Sequence, residues 1–292
     1  MEFGLFLGCT VPARARQYEM STRKIAEKLG ITFVDIGEFS CCGFPLKAVS
    51  KETALLLAAR NLSLAEERGV ETICSICSAC TENLTEMSRE LNEDENLREE
   101  VNKKLKEINR QYKGGVKVKH IGRILYEDIG IEKIKKTVTR ELKNISITPH
   151  YGCHYVRPSK IYDKFDDPEI PKSLEELIKV TGANYVSHQN GMLCCGGGIL
   201  AIADKVSLAL SKEKLDRMKE SGADAICLVC PFCSVMYDGN QRSIEELFQT
   251  KYELPVLFYP QLLGLAMGID SKELGLQLNV VKTKGLLEKI GT

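Results

Sequence analysis

Short apolar runs rich in β-branched residues recur along the chain, each beside or running into a cysteine site. They are FGLFLGC (3–9), ITFVDIGEFSCC (31–42) and ETICSIC (71–77), then SITPHYGC (146–153), NYVSHQ (184–189) and DAICLVC (224–230). Runs of this length and composition predict β-strands. Between them, apolar positions return with helical spacing, as in RQYEMSTRKIAEKLG (16–30) and KETALLLAARNLSLAEERG (51–69), the latter closing at Gly69. Strands alternating with helices of that length predict βαβ units and parallel sheets.

The pattern occurs twice. Cys41, Cys42, Cys74, Cys77 and Cys80 each return 153 positions later, as Cys194, Cys195, Cys227, Cys230 and Cys233, while Cys9 and Cys153 stand 144 apart. VKVKHIGRILYEDIGI (116–131) and LPVLFYPQLLGLAMGI (254–269) share a hydrophobic pattern, and both close on Gly-Ile. This is an internal duplication. It predicts an α/β fold of two Rossmann-like βαβ domains with parallel sheets, residues 1–144 and 145–292, related by a pseudo-two-fold. The surplus of the first half falls in a charged, helix-favouring stretch, about 86–115, read as a solvated helical insertion.

Composition narrows the chemistry. With 43% hydrophobic and 27% charged residues, the 292-residue chain has the makeup of a globular protein with a sizeable core. Its formal net charge of zero points to neither nucleic acid nor a membrane surface as partner. The apolar N-terminus lacks the marks of a signal peptide, and no run reaches membrane-spanning length, so the chain reads as cytoplasmic. Twelve cysteines in such a chain are not a disulfide framework, and their spacing is too regular for scattered core thiols.

In parallel sheets, ligands sit at the carboxyl ends of the strands, and there the cysteines collect. One set is Cys9, Cys41, Cys42, Cys77 and Cys80; the other is Cys153, Cys194, Cys195, Cys230 and Cys233. Five thiols per half exceed the four ligands of a closed zinc site or an ordinary cubane, which points to an unusual cluster. Adjacent cysteines on an extended strand face opposite ways, so both reach one centre only where the backbone turns. Gly43, and Gly196 with Gly197 and Gly198, supply that freedom and let the backbone approach the centre. Cys74 and Cys227 lie inside apolar strands and read as buried structural thiols. His120, His150 and His188 receive no role.

At these residues the sequence resembles the CCG-domain family: a cysteine, thirty-odd residues, CCG, about thirty-five more, then C-x-x-C. Within it, GLFLGCTVPAR, SCCGFP, YGCHYVRPSK, CCGGG and VCPFC are most similar to the heterodisulfide reductase B subunits of methanogenic archaea. The resemblance implies two noncubane [4Fe–4S] clusters, each held by one five-cysteine set as two fused smaller units. It implies methanogenesis as the setting and the mixed disulfide of coenzyme M and coenzyme B as substrate, lying between the clusters with one sulfur taken by an iron of each. It implies partners too: a C-like subunit with cubane [4Fe–4S] clusters, an A-like flavoprotein, and hydrogenase or formate dehydrogenase upstream. The anionic ends of such a substrate call for positive groups near Cys9 and Cys153. Arg14, Arg16, Arg157 and Lys160 are the candidates, with His154 as candidate proton donor to the leaving thiolate.

Three other readings stand beside this one. The chain is a CCG subunit of a glycolate-, lactate- or fumarate-linked oxidoreductase; or its clusters only relay electrons; or one or both halves hold zinc.

Overall fold

Each half of the chain builds its own parallel sheet. The computed structural model describes residues 1–291. In the first half, β1 (Glu2–Phe6), β2 (Thr32–Asp35), β3 (Thr72–Ser75) and β4 (Lys117–His120) lie in the order β2-β1-β3-β4. In the second, β5 (Ser146–His150), β6 (Asn184–Tyr185), β7 (Ala225–Leu228) and β8 (Val256–Phe258) lie in the order β6-β5-β7-β8. All pairings are parallel and the two topologies are the same, as the duplication requires. β7 is buried along its whole length and β3 along all but its first residue, as expected of central parallel strands covered on both faces.

The helices that bear on the site are α1 (Thr10–Arg14), α2 (Arg16–Leu29), α3 (Lys51–Glu67), α4 (Ser78–Glu93) and α5 (Glu95–Leu105), then α6 (Cys153–Val156), α7 (Ser173–Lys179), α8 (Asp204–Glu220), α9 (Pro231–Ser234) and α10 (Tyr259–Ala266); further helices follow β4, α9 and α10. α3 starts where Ser50 Oγ accepts the Thr53 N–H at 3.2 Å, satisfying one of the free amides of the first turn. The charged stretch of the first half is α5. Its Val101 and Leu105 are buried while most of its charges face water. Among the described residues, no helix is long and apolar enough to cross a membrane.

The two halves share a core. One cluster of buried side chains runs from Leu5, Tyr18 and Ile25 in the first half through Ile147, Leu257 and Leu262 in the second. A smaller cluster, with Leu62, Ile73, Leu84 and Met87, belongs to the first half. α2 packs on α10, and α4 packs on α6. At the centre of the shared core the fully buried Tyr18 ring stacks on Phe258 with centroids 4.0 Å apart. Its hydroxyl donates to Val229 O at 3.0 Å, and His120 Nε2 lies 2.9 Å from the same carbonyl. His120 Nδ1 accepts the Gly122 N–H, which leaves Nε2 as the donor. Two side chains of the first half therefore pin the residue that precedes Cys230.

A core that crosses the halves predicts one cooperative unfolding transition. Truncating Tyr18→Ala should cost about 3–5 kcal/mol, and Tyr18→Phe about 1 kcal/mol, both read as shifts of the urea midpoint. Two well-separated transitions would contradict the shared core.

Candidate metal centre

In both sheets the strand order reverses beside the first strand: the chain leaves β1 for β2 on one side, then crosses to β3 on the other. Loops leaving the carboxyl ends of β1 and β3 diverge at that point and open a crevice. Cys9 follows β1, Cys41 and Cys42 lie on the loop after β2, and Cys77 and Cys80 follow β3. In the second half Cys153, Cys194 with Cys195, and Cys230 with Cys233 follow β5, β6 and β7 in the same way. Three loops thus deliver five thiols to one place in each half.

Those ten thiols form one row. Interactions run from Cys9 to Cys41, Cys42, Cys80 and Cys77, cross to Cys230, and continue through Cys233, Cys195 and Cys194 to Cys153. The second half repeats the order of the first in reverse, so the pseudo-two-fold passes between Cys77 and Cys230. The middle of the row is buried. Its outer members are not: Cys9 and Cys194 are exposed, Cys41 and Cys153 half-buried.

The double-cysteine loops are turned by their glycines. Gly43 has φ +97°, and a Cβ there would lie 2.7 Å from Ala54 O; Gly196 has φ +81°, and a Cβ would lie 2.5 Å from Ser207 O. Both constraints come from the backbone of the following helix, α3 or α8, against which the loop presses. Gly197 and Gly198 have no positive φ, and Gly198 has open space where a Cβ would go. Of the glycines after Cys194 and Cys195, backbone conformation demands only the first, while at Gly197 a Cβ would crowd the Phe232 ring at 3.0 Å and Met236 at 3.3 Å.

Electrostatics favour anionic sulfur at set positions. Cys42 is pushed down to about 4 by hydrogen bonds from the Cys41 and Cys80 thiols and the Phe44 N–H, against its burial. Cys194 is pushed down to about 2 by Cys153 and Cys195, helped by the Gly196 N–H at 3.3 Å. Cys230 is also lowered, by Cys233 and Cys77 and by the N–H groups of Cys233 and Phe232. Cys77 and Cys230 cap α4 and α9, whose first N–H groups favour negative charge, but of the pair only Cys230 is lowered. Cys77 donates to Cys230 and is pushed well above the ordinary thiol value by it and by burial. Cys74 and Cys227 differ: they sit in β3 and β7, fully buried, and burial alone pushes both thiols up. They lie outside the row.

The row fits an iron–sulfur centre in each half. The donors are soft thiolates, five to a set, with backbone N–H groups aimed at their sulfurs.

The charged residues expected near substrate are more scattered. Arg157 donates to Pro168 O and pairs with Glu169 at 2.9 Å, which engages it in its own loop. Arg14 lines a cavity of about 310 Å³ with Ser234 and Asp238, beside α9. Arg16 and Lys160 are exposed. His154 sits at the seam, edge-on to Phe44 with centroids 4.8 Å apart, and burial holds its ring below the ordinary histidine pKa. Its Nδ1 lies 4.0 Å from Glu82 Oε2, and neither atom has a hydrogen-bond partner. Glu82 is buried on α4, its Oε1 accepts from Lys47 Nζ at 2.9 Å, and burial pushes its carboxyl up to about 7. Lys47 also pairs with Glu86. The Lys47–Glu82–Glu86 group was not among the residues expected from sequence. Its one signal there is a pair of glutamates at i, i+4 just after C-x-x-C.

Residues 3–85 and 147–238 each match the CCG family, the cysteine-rich domain. The chain is 38% identical over 293 residues to the B subunit of the ferredoxin/F(420)H(2)-dependent CoB-CoM heterodisulfide reductase of Methanosarcina acetivorans, covering 99% of this chain and 97% of that one. It is 32% identical over 281 residues to the membrane anchor subunit of the 8-methylmenaquinol:fumarate reductase of Wolinella succinogenes, covering 96% and 97%. A crystal structure of a hypothetical protein from Helicobacter pylori has the same fold, with a TM-score of 0.77 at 16% identity; it covers 96% of this chain, which spans 52% of that one. The chain is a CCG protein. It belongs to the family of heterodisulfide reductase B subunits.

The loop geometry makes a direct prediction. Gly196→Ala should destabilise the protein by about 2 kcal/mol or more, since it adds left-handed strain to a backbone clash. Gly198→Ala should stay within about 0.5 kcal/mol of the parent. Urea denaturation of both variants checks the contrast.

Proposed function

We propose that this chain is the catalytic subunit of a heterodisulfide reductase of methanogenesis. In this reading it cleaves the mixed disulfide of coenzyme M and coenzyme B to the two thiols, within a cytoplasmic complex supplied by a cubane-carrying subunit and a flavoprotein. The observation that carries the reading is the symmetric row of ten thiols joined at Cys77 and Cys230, a pair of five-thiol sets for a substrate that is itself a pair of joined thiols. Similarity to the heterodisulfide reductase B subunits along almost the whole chain supports it.

Cys9, Cys41, Cys42, Cys77 and Cys80 would hold one noncubane [4Fe–4S] cluster; Cys153, Cys194, Cys195, Cys230 and Cys233 the other. When bound, the two clusters supply two electrons. The reaction is RSSR′ + 2e⁻ + 2H⁺ → RSH + R′SH, so the protein must deliver protons as well. His154, with Glu82 4.0 Å away across the seam, would pass one to a departing thiolate. The exposed ends of the row, at Cys9 with Cys41 and at Cys153 with Cys194, are where a small molecule reaches the site. Arg14, Arg16 and Lys160 are the charges left for its anionic groups.

Similarity to the fumarate reductase anchor subunit favours a second reading, in which the clusters pass electrons onward without cleaving a disulfide. An anaerobic assay with a reduced dye separates the two. Cleavage predicts two thiols released and two dye electrons consumed for each mixed disulfide; a relay subunit releases none. Cys42→Ser and Cys195→Ser should each lower the rate by roughly 10³ or more, and the double variant should fall little further, as for groups acting as a unit. Independent, multiplying losses would contradict joint action.

A further inference from the structure

The halves match in their thiols but differ in what surrounds them. Applying the cysteine offsets, His150 stands where the first half has Phe6, Tyr237 where it has Leu84, and Lys214 where it has Asn61. Ser207 and Ser211 replace Ala54 and Ala58, and their hydroxyls donate to Gly196 O and Cys195 O at 2.8 and 2.6 Å. The two centres thus differ in their polar neighbours: in the first, Asn61 and Asn83 donate to Cys41 O and Cys42 O at 3.0 and 2.8 Å, while the second has His150, Tyr237 and Lys214 about it.

Two of those three side chains have unmet needs, the Tyr237 hydroxyl and the His150 ring, and His150 lacks a partner at both nitrogens. It is 1% exposed, and neither ring nitrogen has a hydrogen-bond partner. A ring nitrogen and the Sγ atoms of Cys195 and Cys233 all lie within 4.8 Å of one another. Tyr237 holds the ring edge-on, with centroids 4.9 Å apart. An orphaned buried polar group opposes folding, a penalty the first half avoids with Phe6. His120 and His188, by contrast, both have partners.

The geometry points to His150 as a sixth protein group of the C-terminal centre, donating a ring N–H to its sulfur. The inference rests on the reading that the thiols hold iron–sulfur clusters. The first half completes its five-thiol set with Phe6 at this position, so a sixth ligand to iron is not required and the donor role remains. An N–H donor stabilises the more negative, reduced state of a cluster, and buried Lys214, held by Gly191 O and Leu193 O at 2.5 and 2.9 Å, acts in the same direction. His150 and Lys214 would therefore each raise the midpoint of a cluster held by the C-terminal set.

Pulsed EPR of the cluster-loaded chain, with and without ¹⁵N-histidine, should show imidazole nitrogen coupled to one centre only. In His150→Phe that coupling should vanish with iron per chain unchanged. A potentiometric EPR titration should then find one midpoint lower by about a tenfold change in the oxidised-to-reduced ratio, ~59 mV for a one-electron couple, and the other unmoved. His150→Gln, which keeps an N–H donor, should lose the coupling but hold the midpoint near the parent value. If His150→Phe does not retain iron, the wild-type coupling and the His150→Gln midpoint decide. Full iron with no nitrogen coupling, or unmoved midpoints in His150→Phe, overturns the proposal. Absence of iron from the wild type overturns the cluster reading instead.

Discussion

The contact between Cys77 and Cys230 is the constraint around which the molecule is arranged. Each residue caps a helix at the carboxyl end of the third strand of its sheet, and each is buried. To bring them together, two parallel sheets must present the same ends to a common seam. The exchange of helix contacts across the halves, α2 on α10 and α4 on α6, does this. Tyr18 and His120, both donating to Val229 O, hold the second member of the pair from the first half. The shared core is thus also the scaffold of the site, and cooperativity between halves and register between the two thiol sets have one cause.

Burying so many ionisable thiols in one seam opposes folding, since desolvation disfavours their charged forms. Local features offset this. Neighbouring thiols donate to Cys42 and Cys194, backbone N–H groups point at the sulfurs after both double cysteines, and helix N-termini sit behind Cys77 and Cys230. The same features suit a centre whose metal demands thiolate. The halves part company beyond the thiols, where Phe6, Leu84 and Asn61 of the first are exchanged for His150, Tyr237 and Lys214 in the second. Duplication supplied a symmetric ligand set, and later substitution made its two surroundings different.

Much of the fold was legible because period and spacing are local signals. α2 and α3 lie where the helical spacing puts them, and five repeated offsets disclosed the duplication. The run ITFVDIGEFSCC reads as strand down to the cysteines, yet β2 ends at Asp35. It is an edge strand paired only with β1, and their shared register stops where Leu5 meets Asp35. Offsets reveal which cysteines are equivalent but not which ones touch, so the Cys77–Cys230 junction could not be read from them. Lys47, Glu82 and His154 lie too far apart in sequence for any spacing rule. His150 was hidden differently, as the last of three polar residues in the five-residue strand SITPH, and its missing partners mark it.

The central claim, that the two sets hold two like iron–sulfur centres, is tested most directly by metal content. Iron, acid-labile sulfide and zinc would be measured per chain in anaerobically prepared protein. The account predicts about eight irons, sulfide in step with iron, and no zinc. About four irons with one zinc would mean that only one half carries a redox centre, and would contradict it.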